Sequence, residues 1–259
     1  MKPVLNCAFA GSFFPGDPEE LRASVNGCLN NGCLPDPDAV GMVVPHAGYV
    51  YSGITAGYGF ASAPDGVETV VVCAPSHRYP LTGPAVLDVS AFSTPLGDCP
   101  VSTEITDSLP EEFRRLVISE HSMEVMLPFI QVRWPEASVV PVVLGSSPHC
   151  ESVASAIFSV CGDCFFIASS DLSHFHHIDR ALMLDRMVMD AFLAGSPEGF
   201  SRVFARGGEA CGRHPVETLL HFARKRGAGN TSFLHYSTSA DAGAGTEEVV
   251  GYFSGMVTR

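Results

Sequence analysis

Three apolar runs of this chain end in residues that bind metals or move protons. VVP leads into His46, VVVCAPS leads into His77, and FFIASSDLS carries Asp171 and leads into His174. Ligand sites of parallel sheets form outside the carboxyl ends of the strands, and neutral imidazole binds first-row divalent metals well. The pattern therefore predicts that these side chains share one polar site at one edge of a sheet.

The run ACGRHP, residues 210–215, adds a thiol to this set. We interpret Cys211 as a third metal ligand beside His46 and His77, because thiolate is a strong, soft ligand for copper, zinc or iron. Arg213 and a helix start directly after it are expected to lower the pKa of Cys211 and to make it a reactive thiol. The alternative is an inert buried thiol, as most free cysteines are.

Other residues of these motifs could move protons. His121, in EHSMEV, is interpreted as an acid or base that lines the same pocket, with a structural role as the alternative. Asp171 and His174 either bind the ion or orient the bound group. The predicted catalytic set consists of His121, Asp171, His174 and Cys211. A hydrolase with Cys211 as nucleophile and a nearby histidine as base is a further hypothesis, whereas HExxH, GxSxG, Walker and GxGxxG motifs are absent.

Alternating strand and helix signals surround these motifs. The apolar, largely unalternating runs predicted as buried strands are 40–45, 69–75, 138–145, 164–170 and 249–257. The predicted helices are DPEELRASVNGCL, capped by Asp17, then SMEVMLPFIQVRW, which Pro128 must kink or shorten, IDRALMLDRMVMDAFLAG, and HPVETLLHFARKRG. This alternation predicts a single α/β domain over residues 1–259, with a central, mostly parallel sheet flanked by helices.

Composition limits the function classes. The chain has 28 acidic and 15 basic residues, for a net charge of −13, so binding to nucleic acid or to an anionic membrane is not expected. Nine cysteines cannot all pair within the chain, and the first residues do not resemble a signal peptide, so we expect a cytoplasmic protein with reduced thiols. The CGDC run, with Cys161 and Cys164, is interpreted as a turn before a strand, with redox work as the alternative.

The longer motifs carry a family resemblance. AGSFFPGDPEEL, VPHAGYVYSG, PSHRYPLTG, TPLGDCPVSTE, EHSMEVMLPFIQ, SSDLSHF, CGRHP and VVGYFS occur between Ala10 and Phe253 in an order and spacing that resemble the Memo family. Microbial members of that family are often labelled AmmeMemoRadiSam system protein B. The resemblance implies a fold similar to the class III extradiol dioxygenases, with a pocket at one edge of the sheet.

The resemblance also implies a site and a chemistry. The family's pocket histidines correspond to His46 and His77, its pocket Asp and His to Asp171 and His174, and its pocket cysteine to Cys211. The dioxygenases hold a non-haem iron with two His and a Glu, so Cys211 stands where they have a carboxylate. A thiolate favours Cu(I) and is itself open to oxidation beside activated oxygen, which departs from extradiol cleavage.

Two function classes follow. The first is an enzyme that uses iron or copper, in preference to zinc, for oxygenase- or oxidoreductase-type chemistry on an unidentified small molecule or peptide. Its metal can be lost or its thiolate oxidised during aerobic purification. The second is a non-catalytic accessory protein that binds a ligand or peptide. For either class, the microbial label implies a radical SAM protein and an AMMECR-type protein as partners.

Overall fold

The structure is a computed structural model that describes residues 1–259. Its strands are β1 (Val4–Asn6), β2 (Ala39–Val44), β3 (Thr69–Pro75), β4 (Pro84–Leu87), β5 (Ala91–Thr94), β6 (Gly97–Pro100), β7 (Arg114–Leu116), β8 (Ser138–Leu144), β9 (Phe165–Ser169), β10 (Asp171–His176), β11 (Asn230–Thr238) and β12 (Val249–Thr258). Its helices are α1 (Pro18–Leu29), α2 (Tyr49–Ser62), α3 (Thr103–Ser108), α4 (His121–Glu124), α5 (Leu127–Arg133), α6 (Cys150–Cys161), α7 (Ile178–Leu193), α8 (Pro197–Phe204) and α9 (Arg213–Lys225). None of these helices has both the length and the apolar character that crossing a bilayer requires.

A nine-stranded mixed sheet forms the centre of the molecule. Its order is β10-β12-β2-β9-β3-β8-β4-β7, and β11 pairs with β12 outside this path. The four middle strands, β2, β9, β3 and β8, are parallel, whereas β12 runs antiparallel to its three neighbours and β4 runs antiparallel to β8. The predicted α/β class is confirmed, and the parallel part is the centre of the sheet. A separate sheet has the order β1-β5-β6.

Both faces of the large sheet are covered by apolar side chains from helices. Leu21 of α1 and Phe60 of α2 lie in a buried cluster on one face with strand residues such as Val72. Ile157 of α6 and Leu219 of α9 lie in a second cluster on the other face. Burial on both faces explains why the middle strands show apolar runs without alternation.

Local signals account for most helix ends. Asp17 caps α1 by accepting the amide hydrogens of Glu19 and Glu20 at 2.9 and 3.0 Å, and Pro18 opens the helix. The predicted helix around Pro128 is two short helices, because Pro128 lacks an amide hydrogen and stands in the first turn of α5. Helix α2 was not predicted, since its glycines disfavour helix. A Cβ on Gly57 would collide with the Cys28 carbonyl of α1, so close packing of the two helices explains this glycine.

Candidate metal centre

The carboxyl ends of three neighbouring parallel strands meet at one edge of the large sheet. His46 follows β2, His77 follows β3, and Asp171 begins β10 two residues after β9 ends. The ring centroids of His46 and His77 are 5.2 Å apart. The sequence prediction that these strand ends deliver polar side chains to one edge therefore agrees with their positions.

A third imidazole completes a cluster that could hold a metal ion. His121 begins the short helix α4, and its ring centroid lies 4.6 Å from that of His77 and 5.5 Å from that of His46. One ligand atom from each of the three histidines lies within 4.8 Å of the others. The sequence pattern indicated an acid or base role for His121, whereas the geometry makes it a candidate ligand.

Hydrogen bonds determine which ring nitrogen of His46 carries the proton and which keeps a lone pair. Its Nδ1 lies 2.8 Å from the Ser169 hydroxyl, and that hydroxyl donates to the Ser122 carbonyl at 2.7 Å. Since the hydroxyl hydrogen is used there, Ser169 accepts from Nδ1–H, which leaves a lone pair on Nε2. Burial, followed by the neighbouring His77 and His121, holds the pKa of His46 well below its usual value, so the ring is neutral.

Glu120 fixes the other two imidazoles, and sequence reasoning did not assign it a role. Its Oε1 lies 2.9 Å from Nδ1 of His121 and 3.4 Å from Nδ1 of His77. Its Oε2 accepts the amide hydrogens of His77 at 2.8 Å and Arg78 at 3.2 Å. Burial opposes ionisation, but hydrogen bonds from His121 and His77 outweigh it and hold the pKa of Glu120 well below its usual range. An ionised Glu120 therefore points both Nε2 atoms away from itself.

Such bonds to the second ring nitrogen accompany most metal-binding histidines. A carboxylate or other acceptor on one nitrogen fixes the tautomer and makes the other nitrogen a stronger ligand. A carboxylate next to a histidine in EHSMEV was the one signal for Glu120 in the sequence. This signal could not be interpreted from the sequence, because His77, which contacts the same carboxylate, lies 43 positions earlier in the chain.

Cys211 lies beside His46, although it is not one of the clustered imidazoles. Its Sγ is 3.3 Å from Nε2 of His46 and accepts the amide hydrogen of Asp171 at 3.2 Å. The Cys211 amide in turn donates to the Asp171 carbonyl at 3.3 Å. Gly212 permits this approach, because a Cβ there would collide with the Ser169 carbonyl. The assignment of Cys211 as a metal ligand stays a prediction.

The expectation of a lowered pKa for Cys211 is wrong. Burial, followed by the negative charge of Asp171, raises the pKa of the Cys211 thiol. Cys211 lies two residues before α9, and its Sγ is directed toward Asp171 and His46. Arg213 instead donates to His214 at 3.1 Å and packs over the Phe204 ring at 5.9 Å. The thiol is therefore protonated.

Asp171 and His174, the remaining predicted site residues, lie on β10. Asp171 is 4% exposed, accepts the His46 amide hydrogen at 2.8 Å on Oδ1, and has Oδ2 4.0 Å from Nε2 of His46. Burial raises the pKa of Asp171 despite these bonds. His174 is half-buried, and its Nδ1 donates to the Leu172 carbonyl at 2.8 Å. It lines a smaller cleft next to Cys211, outside the group of three imidazoles. The catalytic roles of both residues stay predictions.

The site opens into a cleft of about 770 Å³. His77 and Cys211 lie in its wall together with Arg78, Arg213 and His214. None of its 16 lining residues is Asp or Glu, although acidic residues outnumber basic ones in the whole chain. The cleft is therefore locally basic, and His77 is the member of the imidazole cluster that lines it.

Comparisons with known proteins support the resemblance seen in the motifs. A family model described as Memo-like protein matches residues 6–256. The chain belongs to the Memo family. A MEMO1 family protein of Methanococcoides burtonii is 34% identical to this Memo chain over 258 residues, covering 94% of this chain and 96% of the relative. A MEMO1 family protein of Thermoplasma acidophilum is also 34% identical, covering 95% and 96%.

One solved structure is also similar to this Memo chain. It is an uncharacterized protein from Escherichia coli, with a TM-score of 0.48 and 14% sequence identity. The match covers 82% of this chain and 98% of that one.

Another buried acid, Glu124 at the end of α4, lies outside the group of three imidazoles of this Memo chain. Glu124 is 1% exposed, and its Oε2 accepts the Phe9 amide hydrogen at 3.1 Å. Its Oε1 has no hydrogen-bond partner. Burial raises the pKa of Glu124 from 4.5 to about 7, and the charge of Glu120 adds to the rise. The unfolded chain thus ionises this carboxyl at a lower pH than the folded chain does.

We expect Glu124→Gln to remove a loss of stability at high pH. In the wild type, the unfolded state binds fewer protons than the folded state between the two pKa values, so the free energy of unfolding falls as pH rises through this window. The total fall is about 3 kcal/mol and persists above the folded-state pKa. The free energy of unfolding of the variant relative to the wild type, measured with urea at about pH 5 and about pH 8, should therefore be larger at the higher pH. Exposed Glu111, changed to Gln, is the matched control, and an equal wild-type-to-variant difference at both pH values would contradict the prediction.

Proposed function

We propose that this protein binds a redox-active transition metal, iron or copper, and uses it for oxygenase- or oxidoreductase-type chemistry on an anionic small molecule. The observation that carries the proposal is the cluster of His46, His77 and His121, each with Nδ1 next to a hydrogen-bond acceptor, so that the lone pair is left on Nε2. Three imidazoles held in place leave a fourth position for a substrate in a tetrahedral shell, and a five-coordinate shell leaves one even when Cys211 also binds.

Cys211 suits the role of a fourth, thiolate ligand. Metal–nitrogen and metal–sulfur bonds of about 2.0 and 2.3 Å in a tetrahedral shell separate the two ligand atoms by about 3.5 Å. The 3.3 Å between Cys211 Sγ and His46 Nε2 is close to that value. A soft thiolate with three imidazoles favours copper or iron and disfavours calcium and magnesium, which prefer oxygen ligands.

The protonation states argue for a metal in preference to a hydrolase. A nucleophilic cysteine needs a histidine that takes its proton. Here burial raises the pKa of Cys211 and lowers the pKa of His46, so the thiol keeps its proton and the imidazole stays neutral. A bound cation stabilises the thiolate directly and needs both imidazole lone pairs and sulfur as donors.

The residues around the ion would each have a task. When bound, iron or copper supplies redox and Lewis-acid chemistry to a substrate in the cleft. Glu120 keeps Nδ1 of His77 and His121 protonated, and Ser169 does the same for His46. Asp171, whose pKa burial raises, can hold or accept a proton next to the site.

The walls of the cleft support an anionic substrate. Arg78 and Arg213 bring guanidinium groups to these walls, and no carboxylate side chain lines the cleft. Guanidinium groups bind carboxylates and phosphates through paired, charge-assisted hydrogen bonds. The second candidate function, a non-catalytic accessory protein of a radical SAM-associated system, would use the same cleft to hold an anionic ligand without turnover.

Anaerobic reconstitution tests the proposal. We expect fully reduced protein to take up one equivalent of Fe(II) or Cu(I), with affinity that rises with pH because binding releases the Cys211 proton. Oxygen uptake by the loaded protein, measured with and without carboxylate- or phosphate-bearing compounds, then separates the two functions. Uptake of metal without turnover favours the accessory protein, and failure to bind iron, copper or zinc contradicts the metal proposal.

A further inference from the structure

Two cysteines lie at the opposite edge of the large sheet from the three histidines. Cys161 is the last residue of α6, and Cys164 directly precedes β9. Both line a cleft of about 570 Å³, together with the first residues of β2, β3 and β9. His46 and His77 follow the carboxyl ends of two of these same parallel strands. This pair is therefore separate from the candidate metal centre.

The backbone between the two cysteines holds them in a tight turn. The Cys164 amide donates to the Cys161 carbonyl at 3.3 Å, and Gly162 has φ −62° and ψ −23°. Residues i and i+3 of such a turn have Cα atoms less than about 7 Å apart, which overlaps the range that disulfides span. The Sγ atoms are 3.3 Å apart, so they are two thiols in contact and not yet bonded.

The two thiols differ in exposure and in acidity. Cys161 is half-buried, whereas Cys164 is 4% exposed. A hydrogen bond from Cys164 lowers the pKa of Cys161 against the effect of burial, and the same bond raises the pKa of Cys164. A more accessible thiol with a stabilised anion suits attack on a disulfide, and a buried neighbour suits its resolution.

Arg226 adds a positive charge at this turn. Its Nη1 donates to the Cys164 carbonyl at 2.8 Å, and its Nη2 lies 3.8 Å from an exposed Asp163 carboxylate oxygen. The guanidinium charge lowers the pKa of Cys164 and partly offsets the other effects on that thiol. The Cys164 thiolate that must form in the second step of an exchange is thereby stabilised.

We propose that Cys161 and Cys164 form a reversible dithiol–disulfide site that reacts with small organic disulfides entering this cleft. The volume of the cleft falls in the range of small-molecule sites. This site does not depend on the proposed metal chemistry, since no histidine of the metal centre lines the cleft.

The exchange balances in two steps. The Cys161 thiolate attacks one sulfur of the small disulfide, which forms a mixed disulfide and releases one small thiolate that takes up a proton. Cys164 then loses its proton to solvent and attacks Cys161 Sγ, which closes the protein disulfide and releases the second small thiol. Two protein thiols are oxidised to one disulfide, and one small disulfide is reduced to two thiols.

Oxidised glutathione is the probe for the test. Reduced native protein is incubated with it, free thiols are then alkylated, and peptides are mapped by mass. We expect a wild-type peptide that links Cys161 to Cys164 and has lost two hydrogens. Cys164→Ser should instead accumulate a glutathione adduct on Cys161, and Cys161→Ser should form neither product. Cys33→Ser, which removes an exposed cysteine elsewhere, is the matched control and should keep the internal disulfide.

Two outcomes would overturn the proposal. One is the absence of the internal disulfide in wild type at every glutathione ratio. The other is equal retention of glutathione on Cys161 in wild type and in Cys164→Ser, which would mean that Cys164 does not resolve the adduct. Because Cys164 is buried, Cys164→Ala is a second variant, and thermal melting identifies a folded protein for the comparison. Metal uptake by Cys161→Ser should match wild type, which keeps this test distinct from that of the metal centre.

Discussion

Alanine in place of His46, His77 or His121 is expected to abolish stoichiometric binding of iron or copper. Each substitution removes one of the three imidazoles whose ligand atoms lie within 4.8 Å of one another. Loss of a residue that only supports a ligand costs about 10–100-fold in affinity, so loss of a ligand should exceed about 100-fold. Titration of reduced, anaerobic protein with Fe(II) and Cu(I) gives the affinity and the number of sites.

The His121→Ala variant decides whether His121 is a ligand beside His46 and His77. The sequence pattern pointed to Cys211 in that place, whereas the geometry adds His121. We expect Cys211→Ser to weaken Cu(I) binding more than Zn(II) binding, because the softer ion loses its soft ligand. If His121→Ala binds as tightly as wild type, His121 is not a ligand.

Two other histidines serve as controls for this experiment. His149 is exposed and contacts Ser152, and His176 bonds Glu209 at 2.9 Å. Neither belongs to the imidazole cluster. His149→Ala and His176→Ala should therefore keep wild-type affinity, and a loss in either variant would show that binding is not confined to the cluster.

The Glu120→Gln variant should lose about 10–100-fold in metal affinity, because this carboxylate orients two of the three imidazoles. Its Oε1 faces Nδ1 of both His77 and His121, and its Oε2 accepts two backbone amides. A glutamine has similar size but no negative charge, and its amide hydrogens face some of these donors. At least one Nδ1–H must then lose its acceptor in a buried site.

Imidazole nitrogen NMR separates orientation of the ligands from general loss of structure. In the wild type, His77 and His121 should show the tautomer protonated at Nδ1. Glu120→Gln should show mixed tautomers while the protein stays folded. Glu124→Gln, four residues away and also buried, is the matched control and should keep both the tautomers and the affinity. Unchanged tautomers in Glu120→Gln would contradict the positioning role.

Much of the fold could be predicted because its signals are local. The runs that became β2, β3, β8, β9 and β12 are apolar without alternation, since the sheet is covered on both faces. Short strands such as β4 and β7 have no such signature. Helix α2 was also missed, because glycine has a low helix propensity. Gly57 is explained by close packing against the neighbouring helix α1.

The same locality explains which part of the candidate site was visible in advance. His46 and His77 follow buried strands, and parallel strands bring their carboxyl ends to one edge, so residue type and position sufficed. His121 was predicted to line the same pocket as an acid or base, but its place among the candidate ligands was not visible, because a four-residue helix far along the chain brings it to that edge. The position of Cys211 beside Asp171 depends likewise on a contact between segments 40 residues apart.

The sequence by itself determined the α/β class, the Memo family and the strand ends from which the site is built. Only the tertiary structure decided that Glu120 bridges His77 and His121, and that the Cys211 thiol is protonated where a lowered pKa was expected. The physical reason is that a pKa depends on burial and on charges brought close by folding. Arg213, two residues from Cys211 in the chain, has its guanidinium against His214 and Phe204, whereas Asp171 contacts the sulfur.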